Sequence, residues 1–430
     1  MRIQTRTRES RTLRDSGQSR LTQGHAVRLI RPAMAYLLVS LSIAGCGTSG
    51  ATNNTGEPNK QGQPTVAPPT SYAPSGIFTP TGSMNTGRED GLAITLPDGR
   101  VLILGGKDSH GATVPLDRTE AYDPSTKSFG KPDSIPTIPD SSATGPEYSA
   151  VSLADGRVLI ITSLGSAYLY DPSTGAVRAT GSMTTGRRLE TATLLSDGRV
   201  LVAGGVAGPD TATAELYDPV TGTFRSTGSM TTPREDGIAV LLGDGRVLVV
   251  GGVPVLPGDA SAELYDPKTG TFSATGSMTY APIYTINGGY PSATLLRDGR
   301  VLIAGGEVHL SGPSNLGATA LADLYDPKSG TFSATGPMTA SRGGQTATLL
   351  DDGRVLIAGG AGDASVGFQP QSSAELYDPK TGTFSVTGSM TSVRERATAT
   401  RLMNGSVLIA GGSDGSDNSG YSDSAELYQP

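Results

Sequence analysis

Residues 193–205 read TLLSDGRVLVAGG, two apolar runs on either side of an Asp-Gly pair, with a double glycine at the end. Asp-Gly between apolar runs is a strong β-hairpin signal, because both central positions of the favoured two-residue turn need a positive φ. A later segment, YDPKTGTF at 265–272, predicts a second hairpin with Gly270 in the left-handed conformation. One unit of the chain therefore contains four short strands.

This unit is repeated along the chain. The Asp-Gly-Arg-Val tetrad recurs at 98–101, 155–158, 197–200, 244–247, 298–301 and 352–355, and Asn404 begins a seventh copy. The run after each tetrad is apolar on both faces, which predicts sheets covered on both sides, as in radially packed blades. The double glycine would let backbone approach closely there. Each copy also carries one tyrosine, at Tyr122, Tyr170, Tyr217, Tyr265, Tyr325, Tyr377 and Tyr428.

The repeat resembles the kelch motif: a double glycine, a variable loop, a tyrosine and an aromatic residue seven positions later. One copy reads Gly251-Gly252, Tyr265, Phe272, with Phe where the family more usually has Trp. The resemblance covers residues 77–430 and implies an all-β fold, a seven-bladed kelch-type β-propeller with four antiparallel strands per blade.

Two details of the blades follow from the repeat count. The last copy stops after its third strand, and IFTPTGSM at 77–84 has the pattern of a fourth strand. We therefore predict that the N-terminal strand 77–84 closes the ring. In the second blade Ile161-Thr-Ser163 replaces the double glycine and Val177 the later aromatic residue, so we expect that blade to be shortened or distorted.

The N-terminal segment predicts export and lipidation. Residues 33–45, AMAYLLVSLSIAG, are apolar but too short to span a membrane, and Arg28 and Arg31 precede them. Ile43-Ala-Gly-Cys46 resembles the bacterial lipobox, in which the cysteine after the cleavage point is lipidated. We therefore predict a lipoprotein signal peptide at 1–45, lipidation of Cys46 and anchoring in the bacterial cell envelope, extracytoplasmic, at the outer membrane or cell surface. A plain signal peptide or short anchor helix is the alternative.

The composition of the chain differs between residues 46–76 and the acidic remainder. Residues 46–76 are rich in Gly, Pro, Thr and Asn with few large apolar side chains, which predicts a disordered tether before the propeller at 77–430. Residues 1–46 hold eight of the 33 basic residues and two of the 40 acidic ones, which leaves 25 basic and 38 acidic residues in the rest. Such a body would repel phosphates, so we expect no nucleic-acid partner.

Binding is expected on the face that carries the variable loops, because these loops can differ without disturbing the strands. Tyr284 lies in an insertion at the start of the fifth blade. In five copies an arginine follows the methionine of the repeat by four positions, and a ring of such residues would suit a carboxylate or a sugar acid. A structural role, in which these arginines bridge blades and pair with Glu89, Glu235 or Glu395, is the alternative. The candidate ligand-binding residues are Tyr284 and Arg88, Arg187, Arg234, Arg342 and Arg394.

The inventory of reactive residues favours binding over catalysis. Galactose and glyoxal oxidases, which have similar propellers, use a copper held by histidines and tyrosines, one tyrosine being crosslinked to cysteine. Cys46 is the only cysteine, so the propeller lacks the residue for that copper radical site. His110 and His309 and the Asp-rich run 412–423 do not match a metal motif, and we predict no cofactor. The sequence thus favours a non-catalytic protein that binds a protein or carbohydrate, with a carbohydrate-active enzyme of mutarotase or hydrolase type as the alternative.

Overall fold

The structure is a computed structural model, and it describes residues 76–130, 148–206, 212–252, 260–282, 289–309, 316–362, 369–416 and 420–430. The predictions for Cys46, for the signal peptide and for Tyr284 lie outside these residues. The described residues form seven four-stranded antiparallel sheets, which confirms the seven-bladed propeller. Within the described residues, no helix is both long and apolar enough to cross a membrane.

In the first three blades the strands follow chain order from the axis outwards. Ile77–Pro80 is β1 and belongs to the seventh blade. Blade one contains β2 (Leu92–Thr95), β3 (Val101–Leu104), β4 (Glu120–Asp123) and β5 (Ser128–Gly130), with a 3-10 helix at Leu116–Arg118. Blade two contains β6 (Tyr148–Ser152), β7 (Val158–Thr162), β8 (Ala167–Asp171) and β9 (Ala176–Ala179). Blade three contains β10 (Thr191–Leu194), β11 (Val200–Ala203), β12 (Ala214–Asp218) and β13 (Thr223–Ser226).

The remaining blades repeat this order, and blade five adds a small hairpin. Blade four contains β14 (Ile238–Leu241), β15 (Val247–Val250), β16 (Ala262–Asp266) and β17 (Thr271–Ala274). Blade five contains β18 (Ser292–Leu295), β19 (Val301–Ala304), the added β20 (Glu307–His309) and β21 (Leu316–Ala318), then β22 (Ala322–Asp326) and β23 (Thr331–Ala334). Blade six contains β24 (Thr346–Leu349), β25 (Val355–Ala358), β26 (Ala374–Asp378) and β27 (Thr383–Val386). Blade seven contains β28 (Thr398–Arg401), β29 (Val407–Ala410) and β30 (Ala425–Gln429).

The first strands of neighbouring blades contact one another all the way round, and β28 contacts β2, so the ring is closed around a central axis. The closure also takes place in blade seven, where β1 pairs with β30 and places Phe78 opposite Tyr428. Their rings lie 4.8 Å apart between centroids. The prediction that the N-terminal strand completes the last blade is confirmed.

The core consists of interfaces between blades. In β11, Leu201 and Ala203 pack towards Val247 and Val249 of blade four, whereas Val200 and Val202 pack towards blade two. This explains why the second strand of each unit is apolar on both faces. The tyrosine of each regular copy packs against the aromatic residue seven positions later, and its hydroxyl bonds a threonine from the preceding blade, as in Tyr217, Phe224 and Thr180.

The glycines adopt the backbone conformations that the repeat requires. Gly270 has φ 69°, as predicted for the second hairpin. In the first hairpin only the glycine has a positive φ, because Leu195 N donates to Arg199 O and encloses a three-residue loop instead of a two-residue turn. A Cβ on Gly205 would lie 2.6 Å from Arg188 O, so the double glycine does allow a close backbone approach.

Blade two is regular, contrary to expectation. Its four strands are fully paired, and only the link between β7 and β8 is short, a tight turn closed by Thr162 N to Ser166 O at 2.9 Å. Val177 occupies the site of the missing aromatic residue and packs on the core. The substitutions therefore shorten a loop and leave the sheet intact.

Candidate functional site

The five candidate arginines lie on the segments that lead from one blade into the next, and they are buried. Their exposed fractions run from 0% to 3%. Each guanidinium donates from Nη1 to the carbonyl oxygen of the first glycine in its own blade's Gly-Gly pair. These bonds are Arg88 to Gly105 at 3.1 Å, Arg187 to Gly204 at 3.1 Å, Arg234 to Gly251 at 2.9 Å, Arg342 to Gly359 at 2.8 Å and Arg394 to Gly411 at 2.9 Å.

Each of these arginines also forms an ion pair with a buried glutamate from the third strand of the same blade. In blade six, Arg342 Nη2 lies 3.0 Å from Glu375 Oε1, and neither side chain is more than 1% exposed. The same carboxylate accepts bonds from the backbone N–H groups of Thr339 and Ala340. The other pairs are Arg88 with Glu120, Arg187 with Glu215, Arg234 with Glu263 and Arg394 with Glu426.

Burial is the largest effect on the pKa of three of these arginines. It lowers the pKa of Arg88, Arg342 and Arg394, and the neighbouring glutamate opposes the change. A buried guanidinium without its carboxylate would be strongly destabilising, which explains why the two residues occur together.

Blade five shows what replaces the pair. Tyr280 donates its hydroxyl to Gly305 O at 3.1 Å, the carbonyl that an arginine bonds in the other copies. Asp323 stands in place of the glutamate and accepts from Thr279. Blade two likewise has Tyr168 in place of the glutamate. The arginine therefore holds the segment that leads into its blade, and the blades that lack the arginine also lack the glutamate.

These positions correct the ligand hypothesis for the five arginines. Their side chains are buried and hydrogen-bonded inside the blades, so they do not present guanidinium groups to a ligand. Two of the three alternative partners were also wrong, because Glu89 and Glu395 pair with Arg396. The arginines have a structural role, and it operates within a blade through the third-strand glutamate.

The residues just after each arginine reach the axis instead. The second residue after the arginine has a left-handed conformation in every one of the five copies, at Asp90, Leu189, Asp236, Gly344 and Arg396. Backbone bonds join these segments, from Asp90 N to Arg396 O at 3.0 Å and from Asp236 N to Leu189 O at 2.9 Å. They surround the axis on the variable-loop face, and we call this region the mouth.

A cavity of about 190 Å³ opens at the mouth, lined by residues of blades one to three and of the segments that lead into blades four and five. Its walls come from consecutive blades, because entry segments and first strands converge there. Ser149 donates to Glu190 Oε1 at 2.7 Å on one wall. Polar and aromatic side chains line much of it, namely Asp90, Tyr148, Ser149, Glu190, Asp236 and Tyr290.

A charged cluster adjoins the cavity through Asp90. Arg396 Nη2 lies 2.7 Å from Glu89 Oε2 and 3.6 Å from Glu395 Oε1, and Arg396 Nη1 lies 3.6 Å from Asp90 Oδ2. Burial raises the pKa of Glu395 to about 7, although Arg396 opposes the rise. Burial also raises the pKa of Tyr421 to about 12, and Glu89 adds to the effect. The cluster thus contains a carboxyl group that exchanges its proton near neutral pH.

The described residues of the mouth do not fit the copper site of the oxidases that have similar propellers. Among the described residues, no group of three or more His, Cys, Asp or Glu side chains is arranged to hold a metal ion. The side chain of His110 is 85% exposed, and its nearest carboxylate is Asp108 at 3.9 Å. The chain also has no cysteine after Cys46 for the crosslink.

The comparisons with known proteins agree with the repeat and the fold. A family model of the kelch motif matches residues 187–231, from the buried arginine of blade three to the start of the next entry segment. The chain is a kelch-repeat β-propeller. No curated protein matches its sequence.

A solved structure, described as a novel fungal alcohol oxidase with catalytic diversity among the AA5 family in complex with copper, is similar to this kelch propeller. The TM-score is 0.65 at 20% identity, over 83% of this chain and 76% of that one. At this identity the likeness shows the fold alone.

Sequence reasoning missed the mouth residues, although the repeat contains a signal for them. The buried arginine is constant across five copies, whereas the next two residues read Glu-Asp, Arg-Leu, Glu-Asp, Gly-Gly and Glu-Arg. A position that packs inside the blade stays constant in these copies, whereas positions outside that packing vary between blades. Variation inside the repeat would therefore have indicated the mouth.

Proposed function

We propose that this kelch propeller is a non-catalytic, lipid-anchored, extracytoplasmic protein that binds a carbohydrate at the mouth on its variable-loop face. The mouth cavity carries the proposal. It is concave, it draws walls from several blades, and it combines carboxylates with two tyrosines. Carboxylates accept hydrogen bonds from hydroxyl groups, and tyrosine rings offer flat apolar faces to the C–H side of a sugar ring.

The size of the cavity favours a carbohydrate terminus over a protein surface. A volume of about 190 Å³ is below the roughly 300–1,000 Å³ typical of sites for drug-sized molecules. It therefore suits one terminal unit of a larger ligand. A protein partner would instead need a broad contact of roughly 800 Å² on this face.

Anchoring is proposed from the N-terminal sequence. The apolar run 33–45 follows two arginines and ends at Ile43-Ala-Gly-Cys46, the order found in lipoprotein signals. The tether at 46–76 would hold the propeller away from the lipid surface.

A glycan array probed with the purified full chain tests the proposal. We expect binding to a set of glycans, and we expect Tyr290→Leu in the cavity wall to weaken it about tenfold. A contact with an aromatic ring face is worth up to about 1.5 kcal/mol, and about 1.4 kcal/mol is a tenfold change in affinity. Tyr168→Leu, the same change outside the cavity, is the control. Binding that Tyr290→Leu leaves intact, or capture of a protein partner alone with no glycan bound, would contradict the proposal.

A carbohydrate-active enzyme is the second candidate, and one observation favours it. Glu395 has its pKa raised to about 7 by burial and lies beside Arg396, which also pairs with Asp90 of the cavity wall. A carboxyl group with such a pKa suits general acid–base catalysis. Turnover of aldoses, sialic acids or glycosides that Glu395→Gln abolishes would establish this function in place of simple binding.

A further inference from the structure

The charge at the mouth is opposite in sign to that expected from an arginine ring. In the five copies that carry the buried arginine, the three residues after it include six carboxyl groups and two guanidinium groups. The carboxyl groups belong to Glu89, Asp90, Glu190, Glu235, Asp236 and Glu395, and the guanidinium groups to Arg188 and Arg396. An anionic ligand would be repelled here.

The residues that line the cavity also carry more negative than positive charge. Among the described residues that line it, Asp90, Glu190 and Asp236 carry carboxyl groups and Lys107 carries the one positive charge. Lys107 Nζ lies 4.0 Å from Asp90 Oδ2, so the lysine forms an ion pair with one of these three carboxylates. The Glu190 carboxylate also lines the cavity, and it accepts a hydrogen bond from Ser149, a neutral donor.

In blade six the equivalent position, which is not among the described residues that line the cavity, also carries a hydrogen-bond acceptor. Gln345 occupies the place of Glu190 in the repeat and is 8% exposed. Its Nε2 donates to Ala304 O at 2.7 Å and to Ser292 Oγ at 3.3 Å, but its buried Oε1 has no hydrogen-bond partner within the described part of the chain. A buried acceptor without a donor is costly unless something else supplies one.

We propose that the mouth cavity binds the protonated amine of a small hydroxylated ligand, and that this ligand is a terminal amino sugar with a free amino group. This inference rests on the proposed function and specifies its ligand. An ammonium group gives charge-assisted hydrogen bonds to the carboxylates, and the sugar hydroxyl groups use the remaining acceptors. The tyrosines at 148 and 290 offer the apolar faces that the ring needs.

Calorimetric titration of the full chain tests the inference with four probes: D-glucosamine, D-glucose, N-acetyl-D-glucosamine and D-glucuronate. We expect glucosamine to bind at least about tenfold more tightly than glucose, because a hydrogen bond to a charged group is worth about 1.5 kcal/mol or more. Acetylation of the amine should remove this advantage, and glucuronate should not bind.

Two cavity variants, Glu190→Gln and Asp236→Asn, should each weaken glucosamine binding about tenfold and change glucose binding little. Glu190→Gln introduces the residue that blade six already carries, so it is compatible with the fold. Asp351→Asn, which removes a charge from a side chain that is 61% exposed beside the Asp-Gly turns, is the control and should leave both affinities unchanged.

The outcomes separate the two proposals. If glucose and glucosamine bind equally and both depend on Tyr290, the carbohydrate site stands and the amine specificity is wrong. If none of the four probes binds and the glycan array is blank, both proposals fail. If glucuronate binds best, the acidic character of the mouth does not govern recognition and the inference is overturned.

Discussion

Replacement of Arg342 by methionine should destabilise the propeller strongly. The guanidinium of Arg342 donates five hydrogen bonds, three to backbone or side-chain oxygens of Gly359 and Ser373 and two to Glu375 Oε1. Methionine fills much of the volume but leaves Glu375, at 1% exposed, as a buried carboxylate without its cation. Breaking a buried pair in this way costs about 3–5 kcal/mol.

Urea unfolding at pH 7, followed by circular dichroism, measures the change in the free energy of unfolding. Arg342→Lys should fall between wild type and Arg342→Met, because lysine keeps the charge but loses the planar fork. Arg401→Met is the matched control: Arg401 pairs with Asp351 on the surface and is 44% exposed, so its loss should cost less than about 1 kcal/mol. Equal effects of Arg342→Met and Arg401→Met would refute a structural role for the buried arginines.

Three further predictions concern the closing strand, the mouth and the anchor. Phe78→Ala should lower the free energy of unfolding by about 3 kcal/mol, because the ring is 7% exposed and packs on Tyr428; a neutral change in urea unfolding would contradict closure by β1. Glu395 has a folded pKa of about 7 against 4.5 when unfolded. Its protonated form therefore stabilises the fold fully below pH 4.5, and the free energy of unfolding falls as the pH rises towards 7. Glu395→Gln should therefore raise stability by roughly 3 kcal/mol at pH 8 and leave it unchanged at pH 4, as thermal unfolding at the two pH values would show, and equal effects at both would refute the shift. Cys46→Ser should move the protein from the membrane fraction to the soluble fraction, and a variant that stays membrane-bound after signal cleavage would rule out the lipid anchor.

The sequence was sufficient for the fold because the same local signals recur in most of the seven copies of the repeat. The Asp-Gly turns, the Gly-Gly pairs and the two-faced apolar strands all indicate short antiparallel strands, and their agreement predicts blades. The closing strand was predictable for the same reason, since IFTPTGSM at 77–84 supplies what the last copy lacks.

The site was less predictable because a repeat does not show where a side chain points. The arginines are polar, constant and next to variable loops, which suggested ligand contact. In the folded chain each guanidinium is buried in its blade, and a left-handed residue follows the arginine by two positions. The glutamate partner lies about 30 residues further on in the third strand, so only the folded sheet brings the two together.

Hydrogen exchange of the full chain, with and without saturating D-glucosamine, tests the central claim that recognition takes place at the mouth. The account predicts slower exchange in the entry segments 88–91, 187–190 and 234–237 and at the start of β6, with no change in the Asp-Gly turns at 197–199 and 244–246. Protection confined to those turns, or no protection at the mouth under saturating ligand, would contradict it.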